Sequence, residues 1–343
     1  VPQANEIEKF LAATFNKSNV VDVRSPAEFA QGHIPGAVSV PLFSNEERAI
    51  IGTIYKQRNR QEAVLKGLEI VGPKLQDLVN HAVSAAHNKQ IFVHCWRGGM
   101  RSGFVATLLE MYGLSVVTLK HGYKAYRTLT LNSFGKNFNL IVLGGKTGSG
   151  KTRILKKLIE KGEQVIDLEA LAHHKGSAFG GLGEPEQPTQ EQFENEVAYR
   201  LLQCDESRPV WLEDESRMIG KKVIPGPLWD QMRSAKVFYL QIPFEERLKY
   251  IVDEYGKYPA AGIEESITKI SRRMGPEQTK NALLALKAGD IRTAFDYCLN
   301  YYDKTYQHGL SKREQEHVEE IFLPEMNIEQ IADMLIQKTR SRT

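Results

Sequence analysis

Cysteine is scarce: three in 343 residues cannot build a disulfide framework. Long apolar runs are missing too, the longest being about five residues against the roughly twenty of a membrane span. With 14 prolines and 27 glycines the chain lacks the composition of a collagen-like fibre. No internal repeat or low-complexity tract occurs. The first residues, Val1 to Glu6, place no basic stretch ahead of an apolar one, so no export signal is expected and a cytoplasmic location is the expectation. No membrane partner is expected, and no obligatory protein partner is evident.

What is present is ordinary globular material, 41% hydrophobic and 25% charged, in a length that suits two domains. The net charge of +3 is unevenly spread. Residues 1–130 carry 15 Lys and Arg against 10 Asp and Glu, whereas 131–343 carry 30 against 32. The basic front half is compatible with a polyanionic partner. Short apolar runs at Val20–Val23, Val38–Val40, Ile91–His94 and Val116–Leu119 alternate with helical patterns, and the alternation resumes at Leu140–Leu143, Val165–Leu168, Val210–Leu212 and Val237–Leu240. This reads as two parallel α/β sheets. The turn-rich stretch 131–138 is the expected linker, joining a first domain over 1–130 to a second over 139–260. From about Gly262 the pattern is helical, giving an expected C-terminal helical region over 261–343. The segment Asn45–Lys74 is an insertion, helical around Glu46–Gln57, with a basic edge at Lys56, Arg58 and Arg60.

Two motifs carry chemistry. The first runs from a buried-strand pattern through Cys95-Trp-Arg-Gly-Gly-Met-Arg101-Ser102 into a helix. A cysteine at such a junction lies under backbone N–H groups and near a helix N-terminus, both of which favour the thiolate. Arg97 and Arg101 add positive charge, and Gly98 and Gly99 let the backbone curl around an anion. Cys95 is therefore the candidate nucleophile, with Arg97 and Arg101 as catalytic partners. Cys204 and Cys298 have no such neighbours and are read as inert. The second motif, Gly145-Lys-Thr-Gly-Ser-Gly150-Lys151-Thr152, fits G-x-x-x-x-G-K-[ST] after a strand and before a helix. Gly145, Lys146, Thr147, Gly148, Ser149 and Gly150 would cradle phosphates with their backbone, Lys151 would reach the terminal phosphate, and Thr152 would hold Mg²⁺. Asp214 or Glu213, ending the run Val210–Asp214, is the candidate companion element, with Asp214 taken as the ligand. The glycines of Phe179–Gly183 suit a lid.

The stretches Asp22-Val-Arg-Ser-Pro-Ala-Glu28-Phe29, Gly32-His-Ile-Pro-Gly-Ala37 and Leu119-Lys-His-Gly-Tyr-Lys-Ala-Tyr126, with Cys95 between them, resemble the motifs of rhodanese-type domains. The loop departs from that pattern. Five residues separate Cys95 from Arg101, one more than is usual in rhodanese-type sulfurtransferases, and the spacing is similar to that of cell-cycle phosphatases. A longer loop admits a tetrahedral phosphate-like group. The cysteine loop, the insertion from Asn45 and the Gly144–Thr152 loop together resemble the bacterial tRNA 2-selenouridine synthases over essentially the whole chain. The resemblance implies a rhodanese-like α/β domain joined to a P-loop NTPase-like parallel α/β domain. It also implies a tRNA carrying wobble 2-thiouridine as partner, with selenophosphate and geranyl diphosphate as co-substrates and Mg²⁺ as a possible ion.

On that resemblance, geranyl diphosphate would alkylate the sulfur at the Lys151 cradle, and selenium from selenophosphate held at Cys95 would then replace it. Trp211, Phe179 and Leu182 are candidates for an apolar groove around the geranyl tail, with core packing the competing reading and the expected one for Trp211. Candidate tRNA contacts are Lys56, Arg58 and Arg60; Tyr123, Lys124, Tyr126 and Arg127; Lys221 and Lys222; and Arg272 and Arg273, with the two tyrosines placed either to stack an extruded base or, as part of the closing motif, simply to pack. Two other readings compete. One is a Cys95-dependent phosphatase carrying a nucleotide-binding domain. The other is a nucleotide-gated tRNA-binding module without catalysis.

Overall fold

The computed structural model describes residues 3–15, 19–310 and 315–341. The chain forms two compact units, one containing residues up to Ser133 together with Glu194–Tyr199, the other containing Phe134–Phe193 and everything from Arg200 on. No helix among the described residues is long and apolar enough to cross a membrane.

The first unit contains β1 (Gln3–Asn5), α1 (Ile7–Thr14), β2 (Val20–Asp22), α2 (Pro26–Gln31), β3 (Val38–Ser39), α3 (Asn45–Gln57), α4 (Arg60–Val71), α5 (Leu75–Ser84), β4 (Gln90–His94), α6 (Met100–Met111), β5 (Ser115–Leu119) and α7 (Gly122–Ser133). Its sheet is parallel throughout, in the order β1-β5-β4-β2-β3. Strand β4 is central and four of its five residues are buried, as a strand covered on both faces must be. From β2 the chain moves first to β3 on one side and then to β4 on the other. The crevice beyond the carboxyl ends of β2 and β4 is the place where such sheets bind ligands. Local signals set the helix starts: Ser25 and Glu28 form a capping box with Pro26 at the first turn of α2, and Ser44 and Glu47 do the same for α3. Helix α3 buries none of its residues.

The second unit contains β6 (Leu140–Gly145), α8 (Lys151–Glu160), β7 (Gln164–Val165), α9 (Leu168–Leu171), α10 (Gln190–Leu201, whose residues 194–199 belong to the first unit), β8 (Val210–Glu213), β9 (Met218–Ile219), β10 (Lys222–Val223), α11 (Gly226–Ser234), β11 (Lys236–Gln241), α12 (Phe244–Tyr255), α13 (Ala260–Met274), α14 (Pro276–Lys287), α15 (Ile291–Leu310), β12 (Val318–Phe322) and α16 (Ile328–Arg340). A second parallel sheet has the order β12-β11-β6-β8-β7, with β6 in the middle, and β9 and β10 pair as a short antiparallel ribbon. Helices α12 to α15 share a core built on Leu248, Tyr255, Ile267, Phe295 and Leu299.

Two boundaries differ from the sequence expectation. The stretch 131–138 is not wholly a linker: Leu131–Ser133 close α7, with Ser133 buried, and Phe134 is itself a core residue. The region 261–343 is not wholly helical. Strand β12 pairs with β11 at the sheet edge, and α16 packs Ile331, Leu335 and Ile336 into the same core as β6 and α8. β12 was hidden because Glu319 and Glu320 interrupt its apolar residues, as an edge strand allows, and of its five residues only Ile321 is buried.

Below the β4 carboxyl end, Arg24 and Asp22 are both fully buried, joined by contacts of 2.9 and 2.6 Å, and Arg24 Nη2 also donates to Gly32 O at 2.6 Å. Removing one partner leaves an unpaired charge without water. Asp22→Ala is expected to lower the stability of this unit by about 3–5 kcal/mol, read as a lower urea midpoint. The volume-matched apolar pair Asp22→Leu with Arg24→Met should recover most of the loss.

Candidate active sites

Strand β4 delivers Cys95 to the crevice of the first sheet. The thiol is only 3% exposed, while Trp96 to Met100 form the exposed loop that leads into α6. The start of α7 clamps the loop from behind, with Tyr123 N donating to Cys95 O at 2.8 Å and Lys124 N to Trp96 O at 3.0 Å. Glycine is compulsory at this clamp. Gly98 has φ +62° and its missing Cβ would sit 2.4 Å from Leu119 O; Gly122 has φ +60° and its Cβ would sit 2.3 Å from Cys95 O.

Burial acts to raise the Cys95 thiol. The hydroxyl of Ser102, 3.3 Å from Sγ, the backbone N–H groups of Ser102 and Gly99, and the charge of Arg101 outweigh it and hold the thiol below its ordinary value. Burial pushes Cys298 up to about 12 and raises Cys204, so neither competes as a thiolate. Arg101 donates to Glu28 at 2.8 Å and 3.4 Å, and Arg48 of α3 lies 3.7 Å from the same carboxylate. Burial works against the Glu28 carboxylate, but Arg101, Ser25 N and Arg48 keep it below its usual range. Glu28 and Arg48 were not identified as site residues from sequence; the signs of Glu28 were its place in the Asp22–Phe29 motif and in the α2 capping box. Arg97 is exposed on the loop. His94 is fully buried 3.7 Å from Asp22 Oδ2, and burial lowers its pKa, which favours a neutral ring behind the loop.

In the second unit, Gly145 to Thr152 join the central strand β6 to α8, with Gly150 in the left-handed conformation at the helix N-cap. Lys151 Nζ donates to Gly145 O at 3.0 Å. The Thr152 hydroxyl donates to Glu169 Oε2 at 3.0 Å, and Glu169 N donates to Glu213 Oε1 at 2.7 Å. Asp214 lies beside Gly144. Glu169 is thus the carboxylate that touches Thr152, a residue the sequence reading missed because it stands 17 positions away. Burial and neighbouring carboxylates push Glu213 and Glu215 well above the ordinary range, and burial also raises Asp167 and Glu169. Arg247, 3% exposed, braces the loop by donating to Thr147 O at 3.1 Å while held by Asp303 at 2.8 and 2.6 Å. Lys146 lies 3.7 Å from Asp303.

Several expected contact residues are placed otherwise. Tyr123 and Tyr126 are fully buried and hydrogen-bond to Asn195, so no extruded base can stack on them. Arg127 is engaged by Glu194 at 2.6 Å and Asn195 at 2.8 Å, an anchoring role rather than an RNA contact. Trp211 and Phe179 are core residues, 0% and 3% exposed, and line no groove. Lys56, Arg58, Arg60, Lys124, Lys221, Arg272 and Arg273 are exposed, Lys222 is half-buried, and Arg58 pairs with Glu62 at 3.1 Å.

Residues 7–129 match the family model described as a rhodanese-like domain, and residues 138–340 match that described as the tRNA 2-selenouridine synthase AAA domain. The class is therefore a rhodanese-type cysteine domain continued by a P-loop domain. Proteins named tRNA 2-selenouridine synthase are similar along the chain. One from Nitrosomonas europaea is 37% identical over 257 residues, covering 73% of this chain and 66% of its own. One from Sulfurovum sp. is 35% identical over 347 residues, covering 91% and 93%. One from Cronobacter sakazakii is 34% identical over 337 residues, covering 87% and 88%. The match thus spans just under two thirds of the Nitrosomonas protein and most of the other two. The chain belongs to the tRNA 2-selenouridine synthase family.

Because its pKa is lowered, Cys95 should remain a thiolate at pH values where the other two thiols are protonated. Its iodoacetamide alkylation, followed by peptide mass mapping, is expected to have a midpoint below that of Cys204. Ser102→Ala should move that midpoint upward. A Cys95 midpoint no lower than that of Cys204 would contradict the electrostatics described.

Proposed function

We propose that this chain converts wobble 2-thiouridine of tRNA into 2-selenouridine, first by S-geranylation with geranyl diphosphate and then by selenium transfer from selenophosphate. The observation that carries the reading is the presence, in one chain, of a low-pKa thiol beside an arginine and a complete phosphate cradle. A sulfur on C2 is a poor leaving group. In the first step the C1–O bond of geranyl diphosphate breaks, a C1–S bond forms, and diphosphate departs. In the second, the selenium of selenophosphate attacks C2, a C2–Se bond forms as the C2–S bond breaks and geranyl thiol leaves, and water then cleaves the P–Se bond to release phosphate.

Lys151 and the loop amides stabilise the charge that develops on departing diphosphate, the role of a preorganised cation site. The oxygens at Thr152 suit Mg²⁺: a hydroxyl and the Glu169 carboxylate are hard oxygen ligands 3.0 Å apart. When bound, Mg²⁺ would neutralise diphosphate charge. The Cys95 loop, with Arg101 and Arg97, holds the selenophosphate. The exposed cations Lys56, Arg58, Arg60, Lys124, Lys221, Arg272 and Arg273, with half-buried Lys222, supply salt-sensitive attraction for the RNA backbone.

Thiolated tRNA, geranyl diphosphate and selenophosphate incubated with the protein, followed by nucleoside mass analysis, test the assignment. Lys151→Ala is expected to slow geranylation by about 100-fold or more. Cys95→Ser should retain geranylation and lose selenium incorporation. If Cys95→Ser loses neither step, the division of roles is wrong. Robust Cys95-dependent phosphate release from aryl phosphates would favour a phosphatase instead.

A further inference from the structure

With Tyr123 and Tyr126 sealed in the core, the aromatic side chain that the cysteine loop presents to solvent is Trp96, 37% exposed and adjoining Cys95 in sequence. Its inner side is fixed. The Arg24 guanidinium lies 5.9 Å from the indole centroid, and the Tyr123 ring lies 5.7 Å away at 41°. Its carbonyl accepts Lys124 N at 3.0 Å, which pins the backbone beneath the ring. Arg24 is itself immobile, fully buried against Asp22 and only 3.7 Å from the Tyr123 centroid. The indole is therefore a flat surface on a rigid support, with exposed Arg97 and Met100 on the same loop.

The chemistry at Cys95 makes that surface meaningful. The thiol is buried at the base of the loop, so a reaction partner has to arrive over the exposed residues. A base taken out of its stack loses its π contacts, and an aromatic face beside the reactive atom restores them. We propose that Trp96 is the stacking platform that receives the extruded modified uracil and sets its C2 over the Cys95 loop. This rests on the tRNA reading above. It assigns the recognised chemistry as a planar pyrimidine ring, and it moves the stacking role from the two tyrosines of α7 to the loop itself.

The test titrates the full chain with an anticodon stem-loop RNA carrying 2-thiouridine, reading tryptophan fluorescence, RNA anisotropy and the steady-state constants for selenium incorporation. The chain has three tryptophans, and Trp211 lies in the core. Wild type is expected to show quenching on binding, and Trp96→Phe to lose most of it. Trp96→Ala should raise the KM for RNA by about 10-fold, while Trp96→Phe, which keeps a ring, stays near wild type. An unchanged rate of Cys95 alkylation in both variants shows that the loop is intact. RNA binding and turnover by Trp96→Ala at wild-type constants, or quenching that persists in Trp96→Phe, overturns the stacking role while leaving the tRNA reading standing. Failure of wild type to bind the thiolated RNA overturns both.

Discussion

A buried arginine held by an aspartate stands behind each of the two loops. In the first unit Arg24 is fixed by Asp22 and donates to Gly32 O; in the second Arg247 is fixed by Asp303 and donates to Thr147 O. Away from water, Arg24 Nε and Nη2 are held by Asp22 and Gly32 O while its Nη1 has no hydrogen-bond partner among the described residues, and Arg247 Nη1 and Nη2 are held by Asp303. Such a group cannot swing, and whatever rests on it is held too. Trp96 and Tyr123 rest on Arg24, and the phosphate loop rests on Arg247. These two pairs brace the loops, together with the α7 clamp on the first.

Rigid support matters because both loops have to present partial and full positive charges to an anion without reorganising. The cysteine loop combines the Ser102 and Gly99 amides with Arg101, and the result is a thiol held below its ordinary value in spite of burial. The phosphate loop combines its amides with Lys151 and the start of α8. Each loop leaves the carboxyl end of an inner strand of a parallel sheet, β4 or β6, where backbone N–H groups turn outward. Glu28 tempers the first site by pairing with Arg101, and through Arg48 it ties that site to the inserted helix α3.

The parts of this arrangement that could be read from sequence are the contiguous ones. Cys95 to Ser102 and Gly145 to Thr152 carry their chemistry within eight residues each, so spacing alone identified them. Both parallel sheets were visible because buried strands are short continuous apolar runs. The supporting partners were not visible, since Glu28 meets Arg101 across 73 positions and Arg247 meets Thr147 across 100. For the α7 tyrosines sequence left stacking and packing both open, since Lys124 and Arg127 suggested a wet basic face; the helix turns Tyr123 and Tyr126 inward and spends Arg127 on Glu194. Strand β12 was missed because Glu319 and Glu320 interrupt its apolar residues Val318, Ile321 and Phe322, leaving neither a continuous run nor an alternation.

The central claim is that the two loops perform separable steps on one nucleoside. Supplying RNA whose thiouridine is already S-geranylated, together with selenophosphate, to Lys151→Ala bypasses the first step entirely. The account predicts 2-selenouridine at close to the wild-type rate, with geranyl thiol released in equal amount. No selenium incorporation by Lys151→Ala under conditions where wild type converts the same RNA would contradict it.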